Sequence, residues 1–356
     1  MVTDEVLFER RGRLGVILLN RPRAVNALTH EMGMAMRRQL EEWAQDDGIQ
    51  TVLVRGAGER GLCAGGDIVT IYRDMVEGDG SATAEFWANE YRLNSLISRY
   101  PKPYVAFMDG LVLGGGMGIS AHGSHRIVTE RTRTGMPEVT IGFVPDVGGT
   151  HLLATSPGES GTHAALTGAH VNAADALHLG LADHFVPSDQ LDDLARMLEE
   201  QVADAAIGAF ALTPSPSGLA AHRSWIDKAY ASNDVGDILR SLRAAQVPEA
   251  SEAADAIGAK SPTSVKVALQ ALRRARSRSL GEKALEEALD EEHRIGLRLL
   301  AGHDFREGIR AQVIDKDRNP RWIPATLSEV TQDMVDACFA PLGERELGLA
   351  AAVTVP

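Results

Sequence analysis

The chain has 356 residues, with 36 Lys+Arg against 49 Asp+Glu and a formal net charge of −13, a length that suits two domains or one large core with an appendage. Its 44% apolar and 24% charged residues exclude wholesale disorder, and the acidic balance argues against nucleic acid or an anionic membrane surface as the main partner. Cys63 and Cys338, with no CxxC, exclude a disulfide framework and fit a reducing compartment. The first residues carry charges where a signal peptide needs an apolar run. The only stretch resembling a membrane span, Tyr104 to Ala121, contains Asp109 and five glycines. The expectation is a soluble, cytoplasmic protein.

Along the chain, β-branched runs predict strands at Gly15–Leu19, Thr51–Arg55, Tyr104–Met108, Arg126–Val128 and Asp183–Val186. Amphipathic stretches between them predict helices at His30–Trp43, with Thr29 as N-cap, and at Ala84–Tyr100, Ala173–Leu179 and Ser188–Ile207. This alternation is the pattern of an α/β fold. The punctuating stretch TPSPSG at 213–218 predicts a boundary, giving a core at 1–212 and a second region at 219–356. Beyond it strand signals vanish. Ser261 before Pro262 opens a helix reaching about Arg276, and Gly281 to Leu300 reads as another.

Several familiar chemistries fail on their residues. The chain has no P-loop and no GxSxG elbow, and glycines 114, 115, 116 and 118 do not fit a dinucleotide fingerprint. His122 and His125 could face one way on a helix, but no further ligands accompany them, so packing or surface histidines are the plainer reading. Two glycine-dense turns remain, Cys63-Ala64-Gly65-Gly66-Asp67 and Gly114-Gly115-Gly116, each following a strand. Glycines let the backbone approach a ligand with N–H groups outward, and two such groups can hold a carbonyl oxygen that turns negative. Each turn taken singly also fits a tight turn with no ligand. Glu138 and Asp146 flank a Pro/Gly-rich loop in an apolar stretch. Desolvation there should raise a carboxyl pKa and suit acid/base work; an N-cap or a solvated loop acid is the plainer alternative for each alone.

Together, NRPRAVNALT (20–29), CAGGDI (63–68), LGGGMGIS (113–120), MPEVTIG (136–142) and PDVGG (145–149) resemble, in order and spacing, the enoyl-CoA hydratase/isomerase (crotonase) superfamily. The resemblance implies a spiral of ββα turns with a C-terminal helical region. It also implies an acyl-CoA thioester as substrate, polarised by the N–H groups of Gly66 and Gly115. The two-glutamate hydratases carry one acid where this chain has Gly118 and the second where it has Glu138. Asp146 stands where those hydratases have a small residue. That pattern, with WANEYRLNSLISRYPKPYVAFMDG (87–110) and GHDFREGIRAQVIDKDRNPRW (302–322), is similar to the 3-hydroxyisobutyryl-CoA hydrolase branch.

By the same resemblance Glu90 faces the acyl group and Arg23 serves the CoA phosphates, though a solvated loop arginine fits Arg23 equally. Ala64, Asp67 and Ile68 border the substrate, Asp67 reading better as the cap of a helix from Ile68 than as an acid. Thr134-Gly135 and Phe143-Val144 depart from the family pattern and are implied to line the acyl pocket. The expected reaction is hydrolysis of a short branched 3-hydroxyacyl-CoA, with Glu138 as nucleophile or general base and Asp146 orienting water or the substrate hydroxyl. No metal or other cofactor is called for, because backbone donors replace the Lewis acid. Self-association through the C-terminal helices is the family's habit. A hydratase or isomerase using Glu138 alone, and a silent CoA-binding subunit, are the rival readings.

Overall fold

In the computed structural model, residues 4–279 and 281–353 are described. The contacts divide the chain into two compact units interleaved along the sequence: residues 1–66, 89–135 and 171–218 form one, and residues 67–88, 136–170 and 219–356 the other. One segment boundary falls at the TPSPSG stretch. The segments 67–88 and 136–170, which the sequence suggests belong to the first region, cluster with the C-terminal helices instead. Pro/Ser/Gly punctuation marks where chain direction changes, whereas unit membership follows from which apolar faces meet.

Among the described residues, all the strands lie in the first unit. A six-stranded sheet runs in the order β1 (Val6–Arg11), β2 (Leu14–Leu19), β3 (Thr51–Gly56), β4 (Tyr104–Met108), β6 (His125–Val128) and β8 (His184–Phe185). Only the β1–β2 hairpin is antiparallel; every other pairing is parallel. All five residues of β4 are buried, which is why it reads as an unbroken apolar run. A second sheet pairs β5 (Leu111–Leu113) with β7 (Arg133–Gly135) in parallel. β4 and β6 lie in the large sheet, while β5 and β7, which follow each of them, lie in the small one.

β1 escapes a reading by pattern because it is an edge strand whose residues are mostly half-buried or exposed. The expected long helix at 188–207 is broken. After a short 3-10 turn at Ser188–Gln190, helices Leu191–Leu198 and Ala203–Gly208 both bury apolar faces against Leu14, Leu53, Phe107 and Ile127 of the sheet. The break has a physical cause: the Glu199 carbonyl accepts from the Arg13 amide at 3.3 Å, at the β1–β2 turn, and not from a continuing helix. His122 lies in a turn and His125 opens β6, so the two do not share a helix face.

The second unit is helical. Ser261 caps the helix Pro262–Arg278 by accepting from the Ser264 amide at 3.2 Å, with Pro262 at the first position. The helix Ala284–Leu300 buries an unusual row of acids, Glu286, Asp290, Glu291 and Glu292. Trp87, Phe143 and Phe305 form an aromatic cluster, Phe143 lying 5.0 Å from Trp87 and 4.6 Å from Phe305 between ring centroids. Residues 149–167, apart from the loop 155–159, form two short helices, Gly149–Ala154 and Ser160–Thr167. Among the described residues no helix is long and apolar enough to cross a membrane.

Candidate active site

In the first unit, the turn of residues 63–66 is threaded between two other segments. The Cys63 amide donates to the Leu111 carbonyl at 3.1 Å and the Leu113 amide to the Cys63 carbonyl at 3.0 Å. On the other side, Ala64 donates to Val25 at 2.9 Å and Leu28 to Gly65 at 2.8 Å. These ladder bonds bring Gly66 beside the second glycine turn. Gly114 adopts φ 48°, ψ −118°, a conformation open in practice to glycine alone, and turns the chain from β5 into the short helix Gly115–Gly118. The first N–H groups of any helix lack an intrahelical acceptor and carry its positive end.

Gly115 is glycine for a second reason, which is space. A Cβ placed there would stand 2.5 Å from Oε1 of Glu90, 3.3 Å from the Gly66 nitrogen and 3.3 Å from Cδ1 of Leu28. Gly66, Gly115 and Glu90 are therefore close together. Glu90 is 3% exposed and sits near Cys63, whose thiol burial pushes up to about 12, with the Glu90 charge adding to the effect. Ala64 lies on the same turn.

Asp67 caps its helix as expected, while Thr134 and Phe143 have partners that the pocket reading does not name. Asp67 caps the helix Ile68–Glu77, its Oδ1 accepting from the Thr70 amide at 3.3 Å, and Ile68 is the first residue of that helix. Thr134 donates its hydroxyl to the Val112 carbonyl at 2.9 Å, and Phe143 is consumed by the aromatic cluster. Arg23 is exposed on the 3-10 turn Pro22–Ala24. Near that turn, Arg60, Arg131 and Arg133 line a cavity of about 420 Å³ with Val25 and Leu111, and Arg60 donates to the Pro22 and Arg23 carbonyls at 2.8 and 2.6 Å. Sequence reasoning passes over these three arginines because they are scattered over some seventy positions and converge only in the fold.

In the second unit, Glu138 opens the 3-10 turn Glu138–Ile141 directly after Pro137, whose fixed φ suits a helical start. Glu138 is 8% and Asp146 7% exposed. Oε2 of Glu138 is buried without a hydrogen-bond partner in the chain, an arrangement that is costly for the charged form and favours the neutral one. Burial holds the Glu138 carboxyl well above its ordinary range, and the charges of Asp146 and then Glu292 raise it further. The charge of Asp146 thus acts on both buried glutamates, and that of Glu292 on Glu138.

Glu292 is a buried acid beside Asp146 and Glu138 that sequence reasoning misses. Fully buried on the helix Ala284–Leu300, it accepts from the Gly148 amide at 2.7 Å, the Thr150 amide at 2.9 Å and the Thr150 hydroxyl at 2.5 Å. Burial pushes it up to about 8 against those donors, which pull it down. Its signal in the sequence is one acid among several on an amphipathic helix, indistinguishable from its acidic neighbours without knowing what each of them packs against. Among the described residues, no group of three His, Cys, Asp or Glu side chains is arranged to hold a metal ion.

Residues 14–339 match the sequence family described as enoyl-CoA hydratase/isomerase. The chain is 38% identical to a protein named 3-hydroxyisobutyryl-CoA hydrolase, mitochondrial, from Gallus gallus, over 97% of this chain and 91% of the relative. It is 36% identical to the Homo sapiens protein of that name, over 97% and 90%. The mitochondrial location in those names gives no support to the cytoplasmic expectation. Among solved structures, one described as a carnitinyl-CoA dehydratase from Mycobacterium thermoresistibile is 49% identical and superposes with a TM-score of 0.92, covering 97% of this chain and 98% of the other. With paired glycine turns, a buried glutamate after MP and a match running nearly end to end, the chain belongs to the enoyl-CoA hydratase/isomerase family and has its crotonase fold.

Proposed function

We propose that this protein hydrolyses a short branched 3-hydroxyacyl-CoA thioester, 3-hydroxyisobutyryl-CoA being the best candidate, to the free hydroxy acid and CoA. The observation that carries the reading is the buried pair of Glu138 and Asp146, with Gly118 at the position where the two-glutamate hydratases hold their other acid. The relatives named as hydrolases support it over nearly their whole length.

In this reading the thioester oxygen accepts from the Gly66 and Gly115 amides, each donor supplying about 3 kcal/mol as negative charge develops. Glu138 either attacks the carbonyl carbon, giving an anhydride that water then opens, or removes a proton from attacking water. In both routes the C–S bond breaks, water supplies the new C–O bond, and the departing sulfur takes a proton to leave as free CoA thiol. Asp146 orients the water or the substrate hydroxyl, and Glu90, beside the oxyanion donors, receives that hydroxyl. The arginines Arg60, Arg131 and Arg133 supply positive charge suited to phosphates, with Arg23 on the adjoining turn.

A second reading is addition or removal of water at a double bond, favoured by the dehydratase name of the Mycobacterium structure at 49% identity. Thiol release from a panel of saturated short acyl-CoAs, run beside the absorbance change with crotonyl-CoA, separates the two. Hydrolysis predicts rapid thiol release from 3-hydroxyacyl-CoA and at most traces of hydrated crotonyl-CoA. Hydration at a rate comparable to thiol release would overturn it.

A further inference from the structure

The loop that carries Asp146 is held in a conformation its own residues do not favour. Val147 has φ +52° and Gly148 φ +81°. A β-branched residue in the left-handed region persists only where its surroundings impose it. Within the loop, the Gly149 amide donates to the Asp146 carbonyl at 2.6 Å, so Asp146 and the two left-handed residues form one turn. That turn opens the helix Gly149–Ala154, whose N-cap, Gly148, has no side chain with which to cap it. The missing cap comes from Glu292, whose two oxygens take the Gly148 amide and both donors of Thr150. A carboxyl group at a helix start, its oxygens accepting from amides that have no partner within the helix, fastens what the helix cannot satisfy for itself.

We propose that Glu292 is a positioning residue for thioester hydrolysis: by clamping Gly148 and Thr150 it imposes the left-handed turn that sets Asp146 against Glu138. This rests on the proposed hydrolytic roles of Glu138 and Asp146. Glu292 also acts on the site electrically, since its charge and that of Asp146 both raise Glu138.

The other charged groups around it are accounted for separately. On its own helix, Glu291 is paired with Arg274 and Arg278 at 2.7 and 3.0 Å, and Asp290 accepts from the Leu349 and Ala350 amides at 2.8 and 3.1 Å. Glu286 acts on His151 of the capped helix, and His293 is the next residue along. Lys260 donates to the Thr140 hydroxyl at 2.8 Å on the Glu138 turn.

The test uses the full chain with Glu292→Gln, Thr150→Val and Thr150→Ser. Glutamine keeps the size but turns one acceptor into a donor, so at least one of the clamped amides is left facing another donor. Expected for Glu292→Gln is a fall in kcat of at least tenfold with KM changed less than threefold, and an acid limb of kcat/KM moved to lower pH because a charge that raises Glu138 is gone. Thr150→Val should lose about threefold in kcat, and Thr150→Ser, which restores the hydroxyl donor, should regain it. A folded Glu292→Gln with kcat within threefold of wild type overturns the proposal; so does a loss of kcat with an unmoved acid limb, which marks a merely structural residue. Should Glu292→Gln fail to fold, the Thr150 pair decides: no difference between Val and Ser overturns the clamp. If wild type releases no thiol, the hydrolytic reading has failed, and the clamp is judged by infrared titration of the protonated carboxyl band that disappears in Glu138→Gln. That band should titrate at lower pH in Glu292→Gln, and an unshifted band overturns the inference.

Discussion

The two units present opposite kinds of chemistry. In the first, the polar groups on offer are backbone amides at Gly66 and Gly115, whose strength owes nothing to pH and whose position is set by ladder bonds to Val25, Leu111 and Leu113. In the second they are side-chain carboxyls, Glu138, Asp146 and Glu292, the charge of Asp146 acting on both glutamates and that of Glu292 on Glu138. The backbone site is vulnerable to an added atom; the carboxyl site is vulnerable to an isosteric change of charge. The contrast teaches that one glycine and one glutamate can matter equally for unrelated physical reasons, and it can be broken or sharpened by experiment.

The largest effect is expected at Glu138. Glu138→Gln keeps the shape, removes the base or nucleophile, and should lower kcat by about 10²-fold or more with acyl-CoA binding retained; a variant keeping over a tenth of wild-type kcat would remove Glu138 from the reaction. Next comes Gly115→Ala, whose methyl would stand 2.5 Å from the Glu90 carboxylate and 3.3 Å from the Gly66 amide. Displacing one oxyanion donor costs roughly 10²-fold, so a loss approaching that size is expected, with a pH profile of unchanged shape. A shifted pH profile in this variant would erase the distinction between the two regions.

Asp146→Asn should reduce kcat/KM for the 3-hydroxyacyl thioester about tenfold, roughly 1.4 kcal/mol. A non-hydroxylated acyl-CoA measured alongside shows whether the hydroxyl or the water is the partner: an equal loss points to water, a smaller one to the hydroxyl. Loss with neither substrate would make Asp146 a loop acid only.

The smallest effect concerns stability. Glu292 has an ordinary value of 4.5 and is pushed up to about 8 in the folded chain. Between those values the folded state keeps a proton that the unfolded state has released, so its stabilising contribution is full below pH 4.5 and is lost as pH rises through 8. Thermal unfolding should show Tm falling by about 5 °C between pH 6 and 9, on the scale of a few degrees per kcal/mol, and Glu292→Gln should flatten that fall. Equal slopes in wild type and variant would show that the burial of Glu292 carries no such linkage.

Much of the fold is legible in the sequence because period and punctuation are local properties. β4 and the helix Ala173–Leu179 fall where their patterns place them, and the caps at Thr29, Asp67 and Ser261 accept the amides expected of them. The misses share a cause in context. β1 is an edge strand without a full apolar face, and the 188–207 helix is interrupted where a carbonyl bonds to a distant turn. Of the site, the glycine turns and the Glu138–Asp146 pair are readable from adjacent residues, whereas Glu292 and the arginines of the cavity near Pro22–Ala24 are not.

By itself, then, the sequence determined which groups could do chemistry: glycines where a backbone must approach, and acids set in apolar surroundings. Only the tertiary structure decided which of them are charged and how firmly each is held. A pKa depends on burial and on neighbours, and Glu292 reaches the Asp146 turn across 146 positions of chain. Its two oxygens meet Gly148 and Thr150 only because the helix Ala284–Leu300 packs against the helix Gly149–Ala154. Local pattern carries no information about such a distance, since the contact is made by packed apolar faces and not by residues near it in the chain.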